Sequence, residues 1–195
     1  MNIGIDIDDT ISNTFETFLP YIKKFVEQDL KRELDLNLSS RTDYYNIVEK
    51  YGLSKKEAKI FWMQYYIPML ENVKPKQSAV EIINKIKNSG NKIVLITARI
   101  DDEIVDARAI TEKWLTENKI NYDKLIINSH NKLEIAQKEN IEIFIDDSIR
   151  NCEMISSGNI KTYMFSTVNN DYYENENIEK VSSWSEFYEK IKEVV

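Results

Sequence analysis

Three aspartates, Asp6, Asp8 and Asp9, stand within a few positions of one another just ahead of Thr10, in the run Asp6-Ile-Asp8-Asp9-Thr10. Crowding like charges in this way is costly unless a cation or a reaction requires it. A second acidic pair, Asp146-Asp147, closes the apolar run that begins at Ile141. Between the two lie Thr97-Ala98-Arg99, which offers a hydroxyl, backbone amides and a guanidinium, and Lys132, which offers an ammonium. Brought to one place, the carboxylates form a hard-oxygen set suited to Mg²⁺, and the hydroxyl, amides and cations suit a phosphate. A plainer reading exists for each part. Aspartates after a strand serve as turn and N-cap residues, and lysines at helix starts are ordinary, with Lys124 and Lys138 as competitors for Lys132. The set in order, each member at a strand end or a helix start, favours a composite site.

The elements that must position these groups can be read from periodicity. Ile3, Ile5 and Ile7 lie in a short β-branched run that ends at the first acids, and four further runs look alike: 92–97, 124–128, 141–146 and 160–165. Helical patterns separate them: Val80, Ile82, Ile83 and Ile86 with Gly90 as a stop, then Ile104, Val105, Ala109, Ile110, Trp114 and Leu115, then Leu133, Ile135 and Ala136. Alternating strand and helix implies crossover connections and a parallel sheet, whose C-terminal strand tips are where ligands bind. The expected fold is a Rossmann-like three-layer α/β/α core.

The stretch after the first strand breaks that rhythm. It has no convincing strand, and helical patterns run from about Asn13 to Leu34, from Thr42 to Tyr51, and onward from the capping box Ser54-x-x-Glu57. So much helix between two strands of one sheet reads as an inserted helical cap over 13–75, with 1–12 and 76–195 as the core and Val73-Lys-Pro75 as a hinge. A last helix follows the box Ser183-x-x-Glu186, and 169–177 reads as a polar loop.

Bulk properties narrow the function classes. In 195 residues, 42% hydrophobic content supports a packed core, and a formal net charge of −7 argues against a polynucleotide or an acidic lipid surface as partner. A single cysteine, Cys152, precludes an intrachain disulfide or a zinc cluster. No apolar run approaches the ~18 residues of a membrane span, so no membrane is expected and a cytoplasmic location is the default.

Asp6-x-Asp8-x-Thr10, Thr97, Lys132 and Asp146-Asp147 resemble the four ordered motifs of the haloacid dehalogenase-like (HAD) superfamily. Asp43-Tyr44, Tyr51-Gly52-Leu53-Ser54, Phe61-Trp62, Leu95-Ile-Thr97-Ala-Arg99, Thr111-x-x-Trp114-Leu115 and Tyr122-Asp123 resemble the cytosolic-type 5′(3′)-deoxyribonucleotidases and their bacterial relatives. Thr-Ala-Arg departs from the Thr-Ser-Pro of well-studied deoxyribonucleotidases, which bears on the substrate more than on the reaction. The resemblance implies a HAD-like fold with a C1-type cap and a Mg²⁺-dependent phosphatase of a small phosphomonoester, a nucleoside monophosphate first.

Residue by residue, the resemblance implies Asp6 as nucleophile, forming an aspartyl-phosphate, and Asp8 as general acid and base. Mg²⁺ would be held by Asp6, the Asp8 main-chain carbonyl and the Asp146-Asp147 pair, with Asp147 favoured as the direct ligand. Thr97 and the Ala98 amide would grip phosphate oxygens, and Lys132 would offset charge between nucleophile and phosphate. Arg99 is expected either as a second phosphate contact or as a partner of the acids in Asp101-Asp102-Glu103. Tyr44, Trp62 and Tyr65 are the cap residues placed to touch substrate, although aromatics at helical spacing more often form core. His130 reads as a loop residue and Cys152 as a buried, inert thiol. The alternatives are a phosphatase of another metabolite such as a sugar phosphate, or a non-catalytic phosphate-sensing module. The partner is a small phosphorylated metabolite, and a homodimer is compatible with the sequence.

Overall fold

A computed structural model of the chain describes residues 1–34, 46–101, 105–129 and 131–195. It divides into two compact units, Met1–Asn13 with Pro75–Val195, and Thr14–Lys74.

The first unit is built on a six-stranded, all-parallel sheet. Its strands are β1 Asn2–Ile5, β2 Lys92–Ile96, β3 Lys124–Ile126, β4 Ile143–Asp146, β5 Lys161–Phe165 and β6 Ile178–Val181, in the order β3-β2-β1-β4-β5-β6. β1 is therefore central, paired with β2 on one side and β4 on the other. Ile93, Val94, Leu95 and Ile96 are all fully buried, so successive side chains on both faces of β2 are covered, as a parallel sheet between helical layers requires. Helices α4 (Ala79–Asn88) and α8 (Trp184–Ile191) pack together. Helices α6 (Lys132–Lys138) and α7 (Ile149–Ser157) also pack together, on the face that carries Val94, Ile96 and Phe144. Gly4 makes the β1–β4 approach possible, because a Cβ there would lie 2.4 Å from the Phe144 ring.

Two elements differ from expectation. β6 was not foreseen: only Ile178 and Val181 of its four residues are buried, and Glu179 and Lys180 blunt an edge strand that shows no apolar alternation. Helix α5 (Ala107–Glu117) starts later than the periodicity predicts, at Asp106, whose side chain caps the Ala109 amide at 2.8 Å. Its buried face is Ala107, Thr111, Trp114 and Leu115, with Ala109 turned out.

The second unit, by itself, is helical. Helix α1 (Thr14–Lys24) runs into a π-helical turn, Phe25–Asp29, in which the Leu30 amide reaches the Phe25 carbonyl. The short α2 (Ile47–Lys50) precedes α3 (Lys55–Asn72), which opens with both halves of the expected capping box on Ser54 and Glu57. Phe18, Phe25, Phe61 and Tyr65 form a buried aromatic cluster here. Residues 42–45 of the expected second helix lie outside the described residues. Among the described residues no helix is long and apolar enough to cross a membrane.

Candidate active site

Strand order explains how residues distant in sequence meet. With β1 between β2 and β4, the residue after each strand tip is drawn to one edge: Asp6 after β1, Thr97 after β2, and Asp146 at the end of β4. The Asp6 amide still donates to the Ile145 carbonyl, at 3.0 Å, so the two acidic tips are locked side by side. Here the connection direction reverses, from strands leading out through β2 and β3 to strands leading out through β4 to β6, which opens a crevice for a ligand.

At the centre of this edge is Lys132, the first residue of α6, capped by Asn131, whose side chain accepts from the Glu134 amide at 3.3 Å. Its ammonium donates to Asp6 Oδ1 at 2.5 Å and to Asp146 Oδ2 at 2.7 Å, with all three side chains at most 6% exposed. Burial alone would lower the Lys132 pKa, but Asp146 and Asp6 outweigh it, and the ammonium is held above its ordinary value. Asp6 goes the other way. Burial, aided by Asp146 and Asp8 and opposed by Lys132, pushes its carboxyl up to about 7. Asp6 Oδ2 receives no hydrogen bond among the described residues, which leaves it open toward an electrophile.

The Asp146-Asp147 pair divides its labour. Both oxygens of Asp146 are engaged, Oδ1 by the Ser148 amide at 2.8 Å and Oδ2 by Lys132, with the Asn151 side-chain amide reaching both at 3.2 and 3.0 Å. Asp147 accepts no side-chain hydrogen bond among the described residues. Burial first, then Asp146, Asp9 and Asp6, holds its carboxyl well above the usual range. Oxygens of Asp6, Asp146 and Asp147 lie within 4.8 Å of one another. A divalent cation fits this set: the donors are all hard oxygens, and one ammonium leaves the like-charge repulsion on Asp147 uncompensated. Asp9 sits in the left-handed region (φ 58°), as a residue serving a backbone turn would.

Beside this cluster, Asp8 faces β2. Thr97 Oγ1 donates to Asp8 Oδ2 at 3.3 Å. Arg99 places Nε on Asp8 Oδ2 at 3.0 Å and Nη2 on Asp8 Oδ1 at 2.8 Å, a two-pronged pair. For Arg99 this is a partner that neither expectation named, and planar fit accounts for it: a guanidinium fork matches a carboxylate bidentately. Ala98 is exposed, and its amide donates to no group among the described residues. The buried Ser129 hydroxyl also lacks a partner there, while its amide donates to the Thr97 carbonyl at 3.1 Å.

The structure thus gathers Asp6, Asp8, Thr97, Arg99, Lys132, Asp146 and Asp147 into one edge of the first unit. Trp62 and Tyr65 belong to the second unit. Tyr65 is buried and its hydroxyl donates to Asp29 Oδ2 at 2.9 Å, whereas Trp62 is only partly buried. Tyr44, His130 and the acids 102–103 lie outside the described residues. Cys152 is buried, with Sγ 3.3 Å from the Asp146 carbonyl, and burial together with Asp146 and Asp147 keeps its thiol well above the ordinary value. Asn151 escaped sequence reading altogether, and Thr111, quoted there only within Thr111-x-x-Trp114-Leu115, was given no role at the site. Ala107, Thr111, Trp114 and Leu115 fall on one helical face, which is the signal that could have assigned it one.

The family model described as 5′ nucleotidase, deoxy (Pyrimidine), cytosolic type C protein matches residues 1–195. A nucleotidase of Clostridium acetobutylicum is 26% identical over 96% of this chain and 92% of its own. Among solved structures, a haloacid dehalogenase-like family hydrolase from Streptococcus pneumoniae aligns with a TM-score of 0.73 at 11% identity, covering 97% of each chain. The Bacillus subtilis protein YfnB, solved bound to magnesium, aligns at 0.68 and 13% identity, covering 98% of each. At these identities the structural likeness speaks to the fold alone.

Proposed function

Because the chain belongs to the 5′ nucleotidase, deoxy (Pyrimidine), cytosolic type C family and is a phosphomonoester hydrolase, we propose that it is a cytoplasmic, Mg²⁺-dependent phosphatase whose substrate is a (deoxy)nucleoside monophosphate. The observation that carries the reading is the buried Lys132 ammonium between Asp6 and Asp146, with Asp147, whose carboxylate accepts no hydrogen bond among the described residues, beside them. A carboxylate so placed is of little use to stability and of great use to phosphoryl transfer.

Asp6, Asp147 and the Asp8 carbonyl would hold Mg²⁺, with Asp146 supporting from behind through Lys132. Bound there, the ion supplies positive charge that keeps the carboxylates ionised and polarises the phosphate. Asp6 Oδ2 attacks phosphorus as the ester P–O bond breaks, and the leaving oxygen takes its proton from Asp8. Water then attacks the Asp6 phosphoryl group, gives its proton back to Asp8, and releases inorganic phosphate. Thr97 Oγ1 and the Ala98 amide grip the phosphate oxygens, and Lys132 holds Asp6 Oδ1 in place.

Thr14–Lys74 is the substrate-selecting cap in this reading. Within it Trp62, which is only partly buried, is a better base-stacking residue than Tyr65, which is 4% exposed and whose hydroxyl donates to Asp29, although the rings of both pack against Phe61. The departure at Thr97-Ala98-Arg99 keeps the exact ester open within the nucleotide class. The test is a screen of phosphorylated metabolites with Mg²⁺ and with chelator. Turnover led by nucleoside monophosphates, and lost with chelator, supports the proposal; preference for sugar phosphates over every nucleotide overturns it.

A further inference from the structure

We propose that Arg99 is a positioning residue for Asp8: it sets the orientation of the carboxylate that carries the proton, and is itself set by helix α5. This rests on the phosphatase reading above. A general acid must present its proton along the line to the leaving oxygen, so rotation of the carboxylate about its own bond is a loss of rate. A single hydrogen bond leaves that rotation open. The fork of Arg99, with Nε on one oxygen and Nη2 on the other, closes it.

The guanidinium is held in turn from helix α5. Its third nitrogen, Nη1, donates to Thr111 Oγ1 at 3.0 Å, and its carbon lies 6.0 Å from the centroid of the Trp114 ring. Its own main chain is tied down as well: the amide donates to Thr97 Oγ1 at 3.3 Å, and the carbonyl accepts from the Asn128 amide at 3.0 Å. The Arg99 side chain is 2% exposed while that of Asp8 is 22% exposed. The arginine thus sits behind the carboxylate, with the carboxylate as the member that solvent reaches. Moving the guanidinium onto a phosphate would strand the buried Thr111 hydroxyl and release Asp8 at the moment its geometry matters. Lysine, a point donor on a flexible stem, would not reproduce the fork. The consequence is specific. Arg99 matters for esters whose leaving oxygen needs a proton, and hardly at all for those whose leaving group departs as a stable anion.

The experiment compares a deoxyribonucleoside monophosphate, an alkyl ester, with p-nitrophenyl phosphate, whose phenolate needs no proton. For Arg99→Met, kcat on the alkyl ester is expected to fall about 10- to 100-fold, a substantial part of a general acid's contribution. The fall on p-nitrophenyl phosphate is expected to be under about threefold, with KM for both little changed. Arg99→Lys should show the same split, and Thr111→Val, which removes only the rear anchor, a smaller version of it. Placing Arg99→Met in an Asp8→Asn background should add no further loss, because the residue acts through Asp8. Equal losses on the two esters with raised KM would assign Arg99 to the phosphate and overturn the proposal, as would a further loss in the Asp8→Asn background. A wild-type enzyme inert toward both esters sinks the phosphatase reading and this proposal together, whereas an active wild type with equal losses sinks this one alone.

Discussion

The two ends of the sheet carry mirror-image ionic triads. At the C-terminal edge one ammonium, Lys132, sits between two carboxylates, Asp6 and Asp146. At the opposite edge one carboxylate, Glu139, sits between two ammoniums, Lys92 and Lys124, which head β2 and β3. The pairing is alike and the outcome is not. Lys92 and Lys124 are 40% and 48% exposed, while the Glu139 side chain between them is only 9% exposed; Glu139 is drawn below its ordinary value by Lys124 first and Lys92 as well, against its own burial. The Lys132 triad is almost entirely removed from water, and Asp6 is pushed up to about 7 in spite of the ammonium touching it. Burial of every member, more than the presence of a partner, separates an ion pair whose cations stay in water from a site held in readiness for chemistry.

The contrast can be broken in four ways, taken from the largest expected effect to the smallest. Asp6→Asn should lower turnover by at least ~10³-fold while circular dichroism shows the fold intact; an active, folded variant would remove the functional half of the comparison. Lys132→Met should cost about 3–5 kcal/mol in urea denaturation, because it leaves buried carboxylates uncompensated. Glu139→Gln, at the other edge, should cost no more than about 1 kcal/mol and leave turnover unchanged. Equal costs would show that burial is not the deciding variable. Asp147→Asn should raise the Mg²⁺ concentration for half-maximal activity by roughly tenfold or more, the scale seen when a metal's oxygen ligand or its support is lost; Asp123→Asn, remote from the aspartate cluster, is the control.

The smallest effect is on stability against pH. The Asp6 carboxyl titrates near 7 in the fold and near 3.8 in an unfolded chain, so between these values the native state holds a proton that the unfolded state has released. Its contribution is fully present below pH ~4 and is lost as pH rises through ~7. In chelator, the melting temperature of wild type relative to Asp6→Asn should therefore decline across that window. Saturating Mg²⁺ should flatten the decline, since the ion takes the proton's place. A difference that rises with pH in chelator would contradict the raised carboxyl.

Much of the arrangement could be read before the fold was known, for one physical reason. A parallel sheet buries both faces, so its strands appear as apolar runs, and polar residues that end such runs must lie at the sheet edge. That places Asp6, Thr97 and Asp146 without any knowledge of pairing. The choice of Lys132 over Lys124 follows the same logic, since Lys124 begins a strand and is spent on Glu139 at the other end. The Arg99–Asp8 pair was not legible, because residues 91 positions apart meet only once strand order and side-chain direction are set. Thr111 stood in a quoted motif but, as a hydroxyl on an apolar helix face, showed no role, and β6 escaped notice as a charged edge strand too short to show alternation.

The indole of Trp184, fully buried in α8, donates to the Thr10 carbonyl at 3.0 Å across 174 positions of chain. The turn that follows Asp6 is therefore made well before the residue that braces it. β1 leaves the ribosome ahead of both of its neighbours and must wait for residues 92–96 and 143–146 to pair, and then for residue 184 to arrive. Such long-range closure is slow relative to local helix formation. Until residues 143–146 have been made, the nascent chain accordingly carries its first aspartates with no site yet assembled around them.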